Sequence, residues 1–470
     1  MAKTETESRY LARKAREAKE LQRRRKQLKK KVPKGYLVYL LVVLSIVYIV
    51  DEVTSAMGTS MQSEVVTEFF VLGKGMEFNA GLAAFTAMSA PLYAMMILMP
   101  FYKSLADKYG RKLFLVINTV GMGVGMGICM NATGPVVYLF GMLVINFVMY
   151  NDMQVMYVME CAPEKHRAKL TSLTKAVALL GVTTIPILRD IFMGNDGSQW
   201  RKVFMIPAMV AVVVGIAAIF LMDETPVFVA RRVAYLEMTD EERSAIAAGE
   251  RKAADENKGG VGRALKFIVK HKQIRSVALC AMVFMFSTGV TGYYESIMKT
   301  GGMSTAQVTQ AMYYIPFCNA LMTAVGGFIT DALGRKKSAI ALSCVAFVGL
   351  TTFVLAANLG LAPAIVGISY GFFIGGLWSV SDMLCLIIAG ESSPTHLRAS
   401  VLGTMSLMVG IGSMGSSIAI MVGMLFVKSI GLLSLCICGP FMLIALFLLI
   451  TQVSETKGVD LNTVTGAEWD

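Results

Sequence analysis

Residues 107–112 read DKYGRK and residues 331–336 read DALGRK. Each hexapeptide carries Asp-x-x-Gly-Arg-Lys, and each stands between two long apolar runs. A second pair occupies matching places: ECAPEKHRA begins at Glu160 and ESSPTHLRA at Glu391, sharing Glu-x-x-Pro-x-x-x-Arg-Ala. The offsets, 224 residues from Asp107 to Asp331 and 231 from Glu160 to Glu391, nearly agree. A duplicated membrane unit of this kind places its site near the midplane, where the two halves meet, and works by rocking one half against the other.

The surroundings of the motifs are membrane-spanning. The chain has 470 residues, of which 55% are hydrophobic and 16% charged, against roughly 25% charged in a soluble domain; its mean hydropathy is +0.60. Apolar runs of about 20 residues, enough to cross a hydrocarbon core as helix, recur from Tyr36 to Thr451. Membrane strands would show short alternating segments instead. Twelve spans are expected, at 36–60, 79–101, 112–131, 135–159, 168–193, 202–222, 275–298, 306–330, 337–357, 362–389, 399–427 and 430–452. The fold class is thus an all-α membrane protein, twelve transmembrane helices in two pseudo-symmetric six-helix bundles. Residues 1–35 form a basic tail, 36–223 the first bundle, 224–274 a linker, 275–453 the second bundle and 454–470 a C-terminal tail.

The net charge of +12 points to nucleic acid until its location is considered. Fourteen Lys and Arg precede Gly35, against four Glu, and they abut the first span. That is the positive-inside signal; with the basic loops KSLADKYGRK, EKHRAK and DALGRKK it sets both termini in the cytoplasm, in a multi-pass protein of the cell membrane. The basic tail also suits anionic lipid headgroups. No nucleic-acid partner is expected, and the chain is expected to be a monomer. The apolar run after the tail is too long for a signal peptide. Seven of the eight cysteines lie within or at the ends of apolar runs, and Cys161 at a helix end. The C-x-C of Cys436 and Cys438 has no His or further Cys nearby, so neither a metal site nor a cofactor is expected. GMGVGMG from Gly121 and GIGSMGSS from Gly410 lie inside apolar spans, where small residues serve close packing rather than phosphate binding.

With these loops in place the sequence resembles the major facilitator superfamily from Tyr36 to about Leu461. KSLADKYGRKL is similar to the superfamily's loop between its second and third helices, with Lys103 where a first Gly is usual. GGFITDALGRKK, with Gly327 in place, is the matching loop of the second half. The sugar-porter and organic-solute branches look closest: DETPVF from Asp223, YVMECAPEKHR before the inner loop and SETKG from Ser454 resemble their motifs. The resemblance implies a cytoplasmic gate of Asp107, Gly110, Arg111, Glu160 and Arg167, repeated as Asp331, Gly334, Arg335, Glu391 and Arg398. Its ion pairs would latch the outward-open state and separate on inward opening. Gly110 and Gly334 supply backbone freedom at the tight turns, and Asp107 lies near a helix start, where a carboxylate is favoured.

Charges inside the spans are the candidates for function. Lys175 lies within the fifth span, where an ammonium costs about 2.5–3.5 kcal/mol on insertion scales. Asp152, eight residues before Glu160, and Lys175, eight after Arg167, are at similar depth on antiparallel helices, so an ion pair between them is one reading. Contact with a substrate carboxylate is the other: where sugar porters carry a Gln for the hexose, this chain has Lys175. Their Gln-Gln pair and Asn correspond to Val283, Phe284 and Gly289, and their tenth-helix Trp to Leu386. Asp51 and Glu52 fall about 22 Å into the first span, at 1.5 Å per residue. Buried carboxyls hold protons readily, so Asp51, then Glu52, Asp152 and Glu295 are the candidate proton-coupling residues. Asp382 is a candidate cation anchor or second proton site. Tyr293, Tyr294 and Trp378 combine an apolar face with a donor and would line a cavity for a polar organic solute. Arg189 and Asp190 read as a surface pair, and Glu295 as facing either the cavity or the outer water.

The expectation is a secondary transporter of a small polar organic solute, a monocarboxylate or aromatic acid preferred, by proton symport. An organic-cation or drug carrier and a sugar carrier are the alternatives on the same fold; the fifth span lacks the G-x-x-x-G-P-x-x-G-G pattern common in drug–proton exporters. A non-transporting sensor with a signalling N-terminal arm is a further alternative. No nucleophile–base pair or metal cluster suggests an enzyme.

Overall fold

The computed structural model describes residues 2–29, 35–92, 102, 105–106, 108–149, 153–163, 167–194, 197–245, 260–394 and 397–459. Ten helices among them are long and apolar enough to cross a membrane, from Tyr36–Ser60 to Ile430–Gln452. Of the two other expected spans, the second is helical over Phe78–Met88, and its expected remainder, 93–101, lies outside the described residues. The fifth is split into Arg167–Gly181 and Thr184–Phe192. Pro186 cannot donate to a preceding turn and is tolerated only near a helix start. At the break the side chains of Thr183 and Thr184 donate to the carbonyls of Leu180 and Gly181. The twelve-helix architecture expected from the sequence accounts for these elements.

Below, "inner" denotes the end carrying the basic loops and "outer" the opposite end. The two inner turns need glycine. Gly110 has φ 116° and Gly334 φ 94°, and each caps the helix that follows it. A Cβ at either would meet the carboxylate of Glu224 or Glu455, which sits over the new helix's first amides. One apolar core passes through the outer part of the first half into the second, with Phe70, Tyr138, Trp200, Phe353 and Tyr370 in it. A separate core, including Leu44, Phe114 and Tyr157, holds the inner end of the first half.

Besides single-residue turns at Ser89 in the second span and Phe204 in the sixth, four described spans are irregular. The first breaks after Ser60, at Met61, and continues as Gln62–Val66 and a wide turn over Thr67–Leu72. The fifth breaks at Val182–Thr183. The seventh narrows over Met285–Gly292 before Tyr294–Thr300. The tenth widens over Met383–Ile388, just past Asp382. Non-helical backbone at membrane depth is tolerated where protein or a water-filled cavity surrounds it, so the four irregularities together locate the centre of the molecule.

Outside the membrane, Ala2–Lys29 is one helix packed on Pro226–Glu237. Thr239 and Glu242 start the next helix by exchanging backbone hydrogen bonds. The rest of the expected linker helix, 246–259, lies outside the described residues.

Candidate functional site

A cavity of about 390 Å³ lies between the halves, and Ser60, Val182, Thr291 and Asp382, one residue from each irregular span, are in its wall. Glu52, Lys175, Asn319, Thr323, Tyr370 and Trp378 also line it. Tyr294 closes one end: its hydroxyl meets the Ser60 hydroxyl at 2.7 Å, and its ring stacks on Tyr370 at 4.8 Å. Trp378 is 44% exposed, an indole presented to the cavity rather than packed away. Lys175 and Asp382 line the same cavity, yet no described carboxylate closes to an ion pair with the ammonium. The expected partner, Asp152, lies outside the described residues.

The structure separates neighbours that the sequence left together. Asp51 is buried within the first half and accepts from Gln154 Nε2 at 3.0 Å, while Glu52, one residue on, faces the cavity. Residues adjacent in a helix point about 100° apart. Tyr294 lines the cavity but Tyr293 does not; its hydroxyl donates to Thr86 Oγ1 and the Ser417 carbonyl, both at 3.3 Å. Asn319, Thr323 and Tyr370 were not singled out from the sequence; two residues of a dipeptide and a polar residue on an apolar helix carry no signal of which way they face.

Beyond Tyr294 the outer ends of the halves are joined by buried charge. Arg189 is 1% exposed, and its guanidinium donates to Glu295 Oε1 at 2.9 Å, Glu64 Oε1 at 3.3 Å, Thr309 Oγ1 at 3.1 Å and the Ser60 carbonyl. Glu295 also accepts the Ser63 amide at 2.9 Å, and Ser296 donates to Gln62 at 3.1 Å. The expected surface pair of Arg189 with Asp190 is therefore corrected. Arg189 turns into the seal, where two carboxylates offset its desolvation, and Asp190 alone points outward, to the Tyr313 hydroxyl at 2.6 Å. Glu295 is likewise fully buried and faces neither the cavity nor outer water. Glu64 escaped the sequence reading because a carboxylate just past a span's end looks like a surface residue.

At the inner end each half holds its own network. Arg111 Nε donates to Glu160 at 3.1 Å, and Arg335 Nε to Glu391 at 3.2 Å. The partners behind them repeat as well. Glu224 accepts the amides of Arg111 and Lys112, and Glu455 those of Arg335 and Lys336. Thr225 donates to Glu160 and Thr456 to Glu391. Burial pushes the Glu455 carboxyl up, but the backbone amides of Arg335, Lys457, Lys336 and Thr456 outweigh it and hold its pKa below the ordinary value. The signal was available: Glu-Thr at 224–225 recurs 231 residues on at 455–456, the offset that separates Glu160 from Glu391. Both ion pairs join residues of one half and are intact while the outer ends are sealed. Arg398 donates to the Ser393 carbonyl at 3.2 Å. Asp107 and the side chains of Arg167 and Asp331 lie outside what the structure describes.

Comparison with known proteins gives a consistent result. The family model described as "Major Facilitator Superfamily" matches residues 40–417. The glucose transporter GlcP of Staphylococcus epidermidis is 22% identical over 331 residues, covering 66% of this chain and 72% of the relative. The putative metabolite transport protein YwtG of Bacillus subtilis is 23% identical over 424 residues, 83% of this chain and 88% of the relative. Among solved structures, the inward open conformation of the xylose transporter XylE from E. coli superposes with a TM-score of 0.65 at 17% identity, covering 93% of this chain and all of that one. A bacterial homologue of the human lysosomal transporter Spinster gives 0.58 at 14% identity, covering 90% and 96%.

Proposed function

We propose that this chain, which belongs to the Major Facilitator Superfamily and is a secondary transporter rather than an enzyme, carries a small organic solute bearing a carboxylate, together with a proton. The observation that supports this reading is the Lys175 ammonium in the wall of the cavity, with no described carboxylate in ion-pair contact. A solute carboxylate would supply the missing partner, and Trp378 and the Tyr294–Tyr370 stack suit an aromatic or flat apolar remainder. Coupling follows from charge. Lys175 faces two cavity acids, Glu52 and Asp382, so an anionic solute meets a net negative wall unless one acid is protonated. Proton and solute then favour each other's binding, and the effect is reciprocal. In this reading Glu52 takes the role the sequence favoured for Asp51, and Asp51 positions the first helix through Gln154. The basic loops and tail support an orientation with both termini in the cytoplasm, in the cell membrane.

A second reading is a sugar carrier. Asn319, Thr291 and Thr323 offer neutral hydrogen-bonding groups in the same wall, and one curated relative is named a glucose transporter. The test is uptake into proteoliposomes under an imposed proton gradient. The panel is benzoate, a short monocarboxylate, glucose, xylose and a quaternary ammonium ion. Acid-driven benzoate or monocarboxylate uptake should fall at least about tenfold in Lys175→Gln, the loss of one charge-assisted contact, and return in part in Lys175→Arg. Hexose or pentose uptake that survives Lys175→Gln would establish the sugar reading instead. Uptake of the cation, abolished by Asp382→Asn, would assign the cavity to organic cations.

A further inference from the structure

We infer that Glu64 and Glu295 form a proton-binding site built into the outer seal, which takes up one proton from the outer side when the halves close and releases it there when they open. The inference rests on the seal's geometry and is independent of which solute the cavity carries. Glu64 and Arg189 belong to the first half and Glu295 to the second, and both carboxyls are held by neighbouring nitrogens of one guanidinium. The two carboxyls therefore converge, one from each half, on a single buried cation. Two carboxylates brought together on one buried site repel, which favours a proton on one of them, and a protonated carboxyl can donate to its neighbour.

The oxygens assign the proton's place. Glu295 Oε1 faces Arg189 and Oε2 accepts the Ser63 amide. Glu64 Oε1 faces Arg189, with Lys299 Nζ 3.5 Å away. Glu64 Oε2 is buried and receives no donor from any described residue. Lys299 does not fill that role, because it reaches only the oxygen Arg189 already serves and gives its shortest bond, 2.5 Å, to Thr305. The other titratable groups around the pair are spoken for or too weakly acidic to exchange near neutral pH. The Tyr294 hydroxyl is bonded to Ser60, and Tyr138 is a phenol buried in the core. Asp190 points away, to Tyr313.

A route for the proton is present. A second cavity, of about 770 Å³ at the outer end, is lined by Glu64, Glu68, Trp200, Arg201 and Lys299. Glu68 is engaged there by both Arg201 nitrogens and the Trp200 indole, at 2.6–2.7 Å, which leaves Glu64 as the carboxyl the vestibule opens onto that lacks a full set of donors. In balance, two separated, hydrated carboxylates and one outer proton become one hydrogen-bonded pair that shares it. No proton crosses the membrane in this step; the outer pH sets how long the seal stays shut.

The test uses full-length protein in lipid nanodiscs without substrate. Bioorthogonal spin labels at Lys74 and Lys428, exposed outer-loop positions of the two halves, report the gap between the outer ends. In wild type the closed-to-open ratio should fall as pH rises, by up to about tenfold per pH unit, the limit for one linked proton. In Glu295→Gln, and separately in Glu64→Gln, a carboxamide replaces the shared proton, so the seal should stay shut with no pH dependence. The infrared carbonyl band of a protonated carboxyl should be present in wild type and lost in both variants. A wild type without pH dependence or without the band, or a Gln variant that keeps the wild-type response, overturns the inference.

Discussion

The two ends of the molecule use the same chemistry in opposite ways. At the inner end Arg111, Glu160, Glu224 and Thr225 are repeated member for member by Arg335, Glu391, Glu455 and Thr456, and the bonds among the four of each set lie within one half. At the outer end Arg189 and Glu64 meet Glu295 and Lys299 across the halves, with no repeat. A charge network inside a rigid body stabilises that body and is neutral to its motion. A network between bodies must break whenever they separate, so its strength enters the equilibrium between states directly. On this contrast the repeated networks are expected to stabilise each half, and the unrepeated one to enter the balance between states.

The largest way to break this contrast is Arg189→Met. It leaves two carboxyls in the seal without their cation, and removing one partner of a buried ion pair costs about 3–5 kcal/mol. The closed outer end should be lost, read as a lengthened Lys74–Lys428 distance and as abolished transport. Arg111→Met tests the other side of the contrast. Its pair with Glu160 is largely buried, at 4% and 11% side-chain exposure, so the melting temperature should fall by an amount equivalent to about 1.5–3 kcal/mol. The Lys74–Lys428 distance should not move. Arg335→Met should behave alike with a smaller effect, about 1 kcal/mol, because its pair with Glu391 is 20% and 17% exposed and better hydrated. An outer distance that lengthened in Arg111→Met as much as in Arg189→Met would abolish the distinction between the ends.

The inner end was legible in the sequence because duplication writes it twice. Gly110 and Gly334, Arg111 and Arg335, and Glu160 and Glu391 all occupy the places their spacing implied, and Glu224–Thr225 and Glu455–Thr456 were recoverable from the same offset. The outer end occurs once, and its key residues look like other things. Arg189 beside Asp190 resembles a surface pair until the break near Val182 sets where the short helix after it points. Glu64 resembles loop until the first span runs on past Met61. The cavity fell between these cases. Lys175, Glu52 and Asp382 were named as charges inside spans and Tyr294 and Trp378 as amphipathic aromatics, but which of two adjacent residues faces inward depends on helix rotation, which hydropathy does not encode.

The smallest expected effect concerns the N-terminal helix, which touches neither seal nor cavity. Arg232 donates to Glu20 at 2.9 and 3.0 Å, Arg243 to Glu17 at 2.8 Å, Arg25 to Glu237 at 2.9 Å and Lys14 to Asp240 at 2.8 Å. Arg24 lies 5.5 Å from the Phe228 ring, whose other neighbour is Arg111 at 5.6 Å, so the helix leans on the inner network without joining it. The pair with Asp240 aside, these are partly exposed, each worth up to about 1 kcal/mol, and all are screened by salt. The hydrogen bond from Arg232 holds the Glu20 carboxyl below its ordinary pKa, against the opposing effect of burial. A depressed folded value means that its contribution is complete above the unfolded carboxylate range, about 4.3, and is lost as pH falls through the folded value. Deleting residues 2–29 should therefore lower the melting temperature by a few degrees at low salt and neutral pH. The difference should shrink at high salt and again below the carboxylate range, with solute uptake unchanged throughout. Uptake abolished by the deletion would make the helix part of the working cycle, and would bring the two inner-end charge systems, the repeated and the added one, into a single gate.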